Sequence, residues 1–442
     1  MRKAGPSYQR CLRAGRIALT TAAVLSAHCV YAQQASAAPS APIVLVLHAA
    51  RLLDVANDNL LRPGEVLVEG ERIKAVGSTV ERPQGAKVID LGDTTLMPGL
   101  IDVHVHLFLH PGAEDLQTVE ESVPWRTILA EQAARADLMA GYTAERDMGT
   151  EGAGSADSAI RDAINQGLIP GPRLRVSGNA IDILGGHEDA NKFNPAQHVL
   201  SNADYANTAE QIVAVMREQR KQGSDFAKIY ETGPDKMIEG VLHTPYQYTE
   251  AQLAAAVEEA HRMGTFVAVH AMGEPGTLYA AQAGVASIDH ATQLSDETIR
   301  LMREKQIFAV PTFTIFDYFA HHHDSQDQAA GESAMLDYKI AEFKKQIAAG
   351  VPFAVGSDVG PFSHGTQAHE MTLMVRFGMK PLEVLQADMI HGAKLLGWQG
   401  EIGELKPGYY ADIVAVPGNP LDDISVVEHV GFVMKNGEVV RQ

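Results

Sequence analysis

The sequence predicts an α/β protein, a (β/α)8 or TIM-type barrel with a small β-sandwich formed by its N- and C-terminal segments. Three observations carry that expectation. Eight short, β-branched apolar runs alternate with Ala/Glu-rich helical text after Pro98-Gly99. Strand text without helices precedes that point and returns after Gly403, so the two ends can complete one small domain. The composition, 45% hydrophobic and 21% charged over 442 residues, is that of a globular chain. On pattern alone, a doubly wound open sheet is the competing arrangement.

Taken in order, residues 1–32 read as a secretory signal peptide. Arg2, Lys3, Arg10, Arg13 and Arg16 form a basic region without acids, the apolar run Ile17 to Ala27 follows, and Val30-Tyr31-Ala32 offers a small-residue cleavage site. Residues 33–41 are a small-residue linker. Residues 42–97 form the N-terminal part of the sandwich: IVLVLHAARLLD, EVLVEGERIKAVG and AKVIDLGDTTLMPG, broken by Gly, Pro and Asp-Asn. The barrel covers 98–402, with strand candidates at 100–108, 141–149, 173–181, 225–233, 265–273, 286–293, 306–314 and 352–360. The plainest helix between them is EAQLAAAVEEAHRMG at 250–264. Residues 403–442 return to strands, and Lys435-Asn436-Gly437-Glu438 is a type I′ hairpin signal.

Several function classes fall away early. A net charge of −19, falling to −24 once the five leader cations are cleaved, repels phosphate backbones, so no nucleic-acid partner is expected. No apolar run is long enough to span a membrane. The only cysteines, Cys11 and Cys29, lie in the leader, so a secreted or periplasmic mature chain has no thiol for catalysis, disulfides or zinc fingers. There is no phosphate loop and no dinucleotide fingerprint, and Gly356-Ser357-Asp358-Val359-Gly360 puts Asp where a nucleophile elbow has Ser.

The chemistry lies at the strand ends. His104 and His106, two apart on the first barrel strand, share one face and reach the rim where such barrels build their sites. His270, His290 and Asp358 each close a later apolar strand on the same rim. Neutral imidazoles with a carboxylate suit zinc or a related divalent ion. Lys228 lies in the apolar run Phe226-Ala227-Lys228-Ile229-Tyr230. Burial there lowers its pKa, and a neutral amine can take up CO2 to give a carbamate able to bridge two ions. His321-His322-His323 reads as a solvated loop, and His364 and His369 lie beyond Asp358.

The series His-x-His, Lys, His, His, Asp, with PGLIDVHVHL at 98–107 and IGELKPGYYADIVAVPGNPL at 402–421, resembles the amidohydrolase superfamily with a binuclear centre. Gly185-Gly186-His187, Lys228-x-Tyr230, His270-Ala271-x-Gly273 and Arg146-Asp147-x-Gly149 are similar to its prolidase-like branch. That branch holds imidodipeptidases, Xaa-Lys/Arg carboxypeptidases and ochratoxin-hydrolysing enzymes. The resemblance implies two divalent ions, zinc foremost. His104 and His106 hold one, His270 and His290 the other, carboxylated Lys228 bridges them, and Asp358 completes the first site. It further implies a bridging hydroxide attacking an amide of a dipeptide or N-acyl amino acid, with Asp358 as general acid/base. His187 and Tyr230 are the expected substrate contacts, and a homo-oligomer is the expected assembly. Glu145 and the stretch Glu231-Thr232-Gly233-Pro234, without the usual double glycine, depart from the family pattern. A cyclic-amide hydrolase and a deaminase of the same superfamily are the alternatives. The deaminase expects His-x-x-Glu, whereas Glu274 stands four residues beyond His270. A non-catalytic periplasmic zinc-binding protein is the alternative from another class.

Overall fold

The computed structural model describes residues 44–112, 114–189, 194, 196, 199–322 and 326–442. The signal peptide and linker expected over 1–41 therefore lie outside the described residues, as does His323.

Two antiparallel-rich sheets make the small domain. β1 (Val44–Ala49), β2 (Arg51–Asp54), β3 (Asn59–Leu61), β4 (Gly64–Glu69), β5 (Arg72–Gly77), β6 (Lys87–Asp90) and β7 (Thr94–Pro98) come from the N-terminal side. The first sheet runs β5-β4-β1-β6. In the second, β7 pairs antiparallel with a C-terminal strand in the register Pro98 to Ile413 and Thr94 to Pro417. Alternating inward residues of both sheets, among them Leu45, Leu47, Val66, Leu96, Ile413 and Phe432, meet in one apolar core, as a sandwich requires.

The barrel follows directly from β7. Its strands are β8 (Leu100–Val105), β9 (Tyr142–Asp147), β10 (Arg173–Val176) with β11 (Ala180–Asp182), then after a rim strand β12 (Ala203–Tyr205), β13 (Ala227–Tyr230). A hairpin, β14 (Lys236–Ile238) and β15 (Val241–His243), precedes β16 (Val267–Ala271), β17 (Ser287–His290) and β18 (Phe308–Val310). Neighbouring barrel strands pair in parallel. The third strand is split at Ser177-Gly178-Asn179, where Gly178 has φ 74°. The eighth strand, expected at 352–360, is reduced to bridges, Ala309 with Phe353 and Val105 with Val359. It still closes the ring: Ala354 N donates to Ala309 O at 3.0 Å, and Asp358 N donates to His104 O at 2.8 Å. The last sheet strands are β19 (Ile413–Pro417), β20 (Phe432–Lys435) and β21 (Glu438–Arg441). Asn436 and Gly437 both have positive φ, 51° and 74°, as the type I′ signal requires.

The helix foreseen at 250–264 spans Glu250–Arg262 and is opened by a Thr249–Gln252 capping box. Inside the barrel, Arg146 of β9 is fully buried. Its Nε donates to Val103 O at 2.6 Å, and its Nη2 to Asp289 Oδ1 at 2.9 Å. One guanidinium thus ties the first, second and sixth barrel strands beneath the rim.

Candidate metal centre

Every residue singled out at the strand ends reaches one small cavity of about 120 Å³. His104, His106, His187, Lys228, Tyr230, His270, His290 and Asp358 all line it. His104 Nε2, His106 Nε2 and Asp358 Oδ1 form a triangle with all three edges 3.3 Å. That is roughly the 3.3 Å edge of a tetrahedron around an ion with bonds of about 2.0 Å. Two imidazole nitrogens held this close with lone pairs inward repel each other unless a positive centre lies between them. The donor set and its spacing therefore fit a divalent ion.

Polar groups stand behind the outer nitrogens of the imidazoles, and His106 Nδ1 is hydrogen-bonded to Gly149 O at 3.2 Å. His104 Nδ1 faces Asp289 Oδ1 at 3.3 Å, and His106 Nδ1 lies 3.1 Å from Glu151 Oε1. His290 Nδ1 is 2.8 Å from Thr312 Oγ1, and His270 Nε2 is 3.0 Å from Asp235 Oδ2. Such partners fix ring orientation and leave the other nitrogen for a ligand.

Electrostatics point the same way. Burial pushes the pKa of His270 and His290 well below the usual imidazole range, so both are neutral donors. Burial opposes a charged Asp358, but His104, His106 and His290 outweigh it and hold the carboxyl well below the usual range. Burial also opposes a charged His106, yet Asp358 and Glu151 outweigh it and raise its pKa well above normal. The carboxylates that hold a proton there equally favour a dication. Lys228 is fully buried, its Nζ has no hydrogen-bond partner, and burial lowers its pKa. An unpaired buried amine is costly, and conversion to a carbamate would turn it into a ligand.

Backbone strain gathers on this rim. His290, Ala291, Thr312 and Asp358 have φ of 68°, 42°, 54° and 63°. For the β-branched Thr312 this is a costly conformation, of the kind kept where a side chain must be aimed.

The His270 and His290 rings lie 4.3 Å apart, and two donor groups run through them. His290 sits with His104 and Asp358, whereas His270 sits with His187 and Asp235, donor atoms within each group lying within 4.8 Å of one another. The His187 ring stacks on Tyr230 at 4.9 Å and 10°, and contacts His270 at 4.2 Å. A third group, Glu114, Glu151 and Glu188, borders the cavity. Sequence reasoning missed Asp235, Asp289, Glu151 and Thr312; Asp289 and Thr312 fell within the strand candidates 286–293 and 306–314 without being singled out. One peripheral expectation changes. His321 ends the helix Phe313–His321 rather than lying in a loop, and His322 stacks on Tyr318 at 4.2 Å. His364 is held by Asp137 at 2.7 Å, outside the cavity lining.

An eight-stranded barrel whose rim gathers imidazoles, carboxylates and a buried amine has the build of a metal-dependent barrel hydrolase. Residues 95–440 match the Amidohydrolase family, and the chain belongs to it, in its prolidase-like branch. It is a hydrolase acting on amide or peptide bonds, and its family typically uses a metal centre. The ochratoxinase of Aspergillus niger is 29% identical over 431 residues, covering 89% of this chain and 86% of that protein. The imidazolonepropionase of Alkaliphilus metalliredigens is 25% identical over 425 residues, covering 88% and 92%. Among solved structures, a Xaa-Pro dipeptidase with methionine bound in its active site is 30% identical with a TM-score of 0.83, covering 90% of this chain and all of that one.

Proposed function

We propose that the protein is an exported metallohydrolase that cleaves the amide bond of dipeptides or N-acyl amino acids and releases the C-terminal residue. The observation that carries this reading is the 3.3 Å triangle of His104, His106 and Asp358 in one cavity with Lys228, whose Nζ has no hydrogen-bond partner. The similarity to a Xaa-Pro dipeptidase and an ochratoxinase supports the choice of bond. His104, His106 and Asp358 would hold one divalent ion, zinc foremost, and His270 and His290 a second, with carboxylated Lys228 as a further ligand. The neutral Lys228 amine adds to CO2 and releases one proton, giving an anionic carbamate in place of an amine without a hydrogen-bond partner. Bound there, the ions supply an acidified water and a polarised carbonyl at neutral pH.

The remaining work falls to side chains. Asp358 is an anion at one corner of the triangle; it accepts a proton at its carboxylate and returns it to the leaving nitrogen. His187 and Tyr230, stacked on one another beside His270, orient the substrate carbonyl and its terminal carboxylate. Ile315, Phe319 and Leu109 line the cavity and exclude water from the reacting bond. Cleavage of residues 1–32 would deliver the chain to a secreted or periplasmic location. Among the described residues, no helix is long and apolar enough to cross a membrane. Self-assembly is part of the proposal, with exposed Trp125 and Ile128 on the helix Val123–Ala140 as apolar surface for it.

The deciding experiment is a hydrolysis screen of the mature chain with metal content measured on the same sample. The panel holds Xaa-Pro, Xaa-Lys/Arg and Xaa-Phe dipeptides, N-acyl-Phe amides and cyclic amides, each with and without chelator. Two ions per chain with chelator-sensitive release of a C-terminal residue is the expected result. Turnover of cyclic amides alone would replace the substrate class, and a chain that binds no metal would overturn the mechanism.

A further inference from the structure

We infer that Asp235 is a positioning residue for the second ion, locking the His270 ring so that only its Nδ1 remains for a ligand. This rests on the metal-centre reading above and deepens it. The carboxylate of Asp235 is nearly buried, and its Oδ2 lies 3.0 Å from His270 Nε2. That distance is a hydrogen bond, and it is shorter than the roughly 3.3 Å separating two ligands of one tetrahedral ion. The His270 Nε2–H therefore donates to Asp235, and the ring presents its other nitrogen.

The loop after β13 is built to place this carboxylate. Glu231 N donates to His270 O at 2.9 Å and Gln247 N to Glu231 O at 2.7 Å, so both ends of the loop are pinned beside β16. Thr232 Oγ1 accepts from Met272 N at 3.0 Å and donates to Asp235 Oδ2 at 3.3 Å, a relay from the strand that carries His270. Gly233 has φ 145° and passes directly under the His187 ring, where a Cβ would lie 2.5 Å from Nδ1. The hairpin β14–β15 then starts one residue after Asp235. His104 and His106 find their carboxylates on β17 and just after β9, in Asp289 and Glu151. His270 instead takes its partner from this loop, the segment in which the sequence departs from the family's double glycine.

Asp235 also lies 3.8 Å from His187 Nδ1, which has no hydrogen-bond partner, and its own Oδ1 is unpartnered. The same carboxylate therefore stands between a metal-side imidazole and a substrate-side one. Altering it should disturb the second ion before it disturbs the first, whose ligands His104 and His106 it does not touch.

The test titrates metal-free wild type, Asp235→Ala and Asp235→Asn with cobalt(II), following the visible spectrum and competition by a chelator. In wild type two equivalents bind. Asp235→Ala is expected to weaken the second equivalent by about 10–100-fold and change its spectrum while leaving the first intact. Asp235→Asn, which keeps an acceptor oxygen but loses the charge, should fall between the two. If Asp235→Ala fails to fold, the isosteric Asp235→Asn decides, with at least a fivefold loss at the second equivalent expected. Two equivalents of wild-type affinity and spectrum in the folded variants would overturn the role of Asp235 while sparing the metal centre. A wild type that takes up fewer than two equivalents would overturn the binuclear reading itself.

Discussion

Gly233→Ala is a small change with a large expected effect, because the structure leaves no room for a methyl group there. A Cβ at this position falls 2.5 Å from His187 Nδ1, 2.6 Å from its Cβ and 2.8 Å from its Cγ. Carbon contacts are comfortable only from about 3.5 Å, so the ring must retreat by about 1 Å. It has little freedom to do so, being stacked on Tyr230 at 4.9 Å and against His270 at 4.2 Å. The backbone adds to the cost, since φ 145° is glycine territory and an alanine there is strained by about 1–3 kcal/mol. A displacement of this size in a substrate-orienting group typically costs about 100-fold in rate, or about 2.7 kcal/mol of transition-state stabilisation. The assay is kcat/KM on the amide identified by the screen, with metal content and thermal midpoint on the same preparation. A folded, fully metallated Gly233→Ala enzyme with kcat/KM within threefold of wild type would refute the orienting role of His187.

Three further outcomes are expected. Asp358→Asn should fold normally, because φ 63° is a conformation Asn tolerates, yet kcat should fall by about 10²–10⁴-fold for want of a proton acceptor; stopped-assay kinetics at saturating substrate checks this. Arg146→Met strands Asp289 as a buried anion without its cation and should lower stability by about 3–5 kcal/mol, read from the denaturant midpoint. Lys339, whose Nζ donates to His290 O at 2.5 Å, has its pKa pushed by burial from 10.5 down to about 7. Between those values the unfolded chain binds a proton that the folded chain does not, so stability gains with rising pH over that window. Lys339→Met should abolish that gain, visible as thermal midpoints compared at about pH 7 and about pH 10.

The sequence made the eight barrel strands legible because buried parallel strands read as short apolar runs, and it made the ligand candidates legible because polar residues at the ends of such runs stand out. Every one of those candidates reaches the same cavity. What escaped was set by neighbours remote in the chain. The eighth strand, though apolar at Phe353-Ala354-Val355, makes only bridges, and beside it Gly356 runs so close to His104 that a Cβ would clash at 2.7 Å. The carboxylates behind the imidazoles escaped for a related reason. Asp235, Glu151 and Asp289 look like ordinary loop or strand-end acids until folding brings them to a ring nitrogen. The Arg146 pairing was invisible too, because its partner Asp289 lies on a strand across the barrel rather than beside it in sequence.

The joining of β7 to β19 has a consequence in time. The edge of Thr94–Pro98 that accepts Ile413–Pro417 is made early in synthesis, and its partner emerges roughly 300 residues later. At ribosomal speeds of about 5–20 residues per second, that edge stays bare for tens of seconds. A nascent chain must therefore be sheltered over that interval or kept unfolded until it is whole. A product ending before Ile413 keeps an open edge strand, the feature that invites aggregation, while a chain that reaches Pro417 covers it.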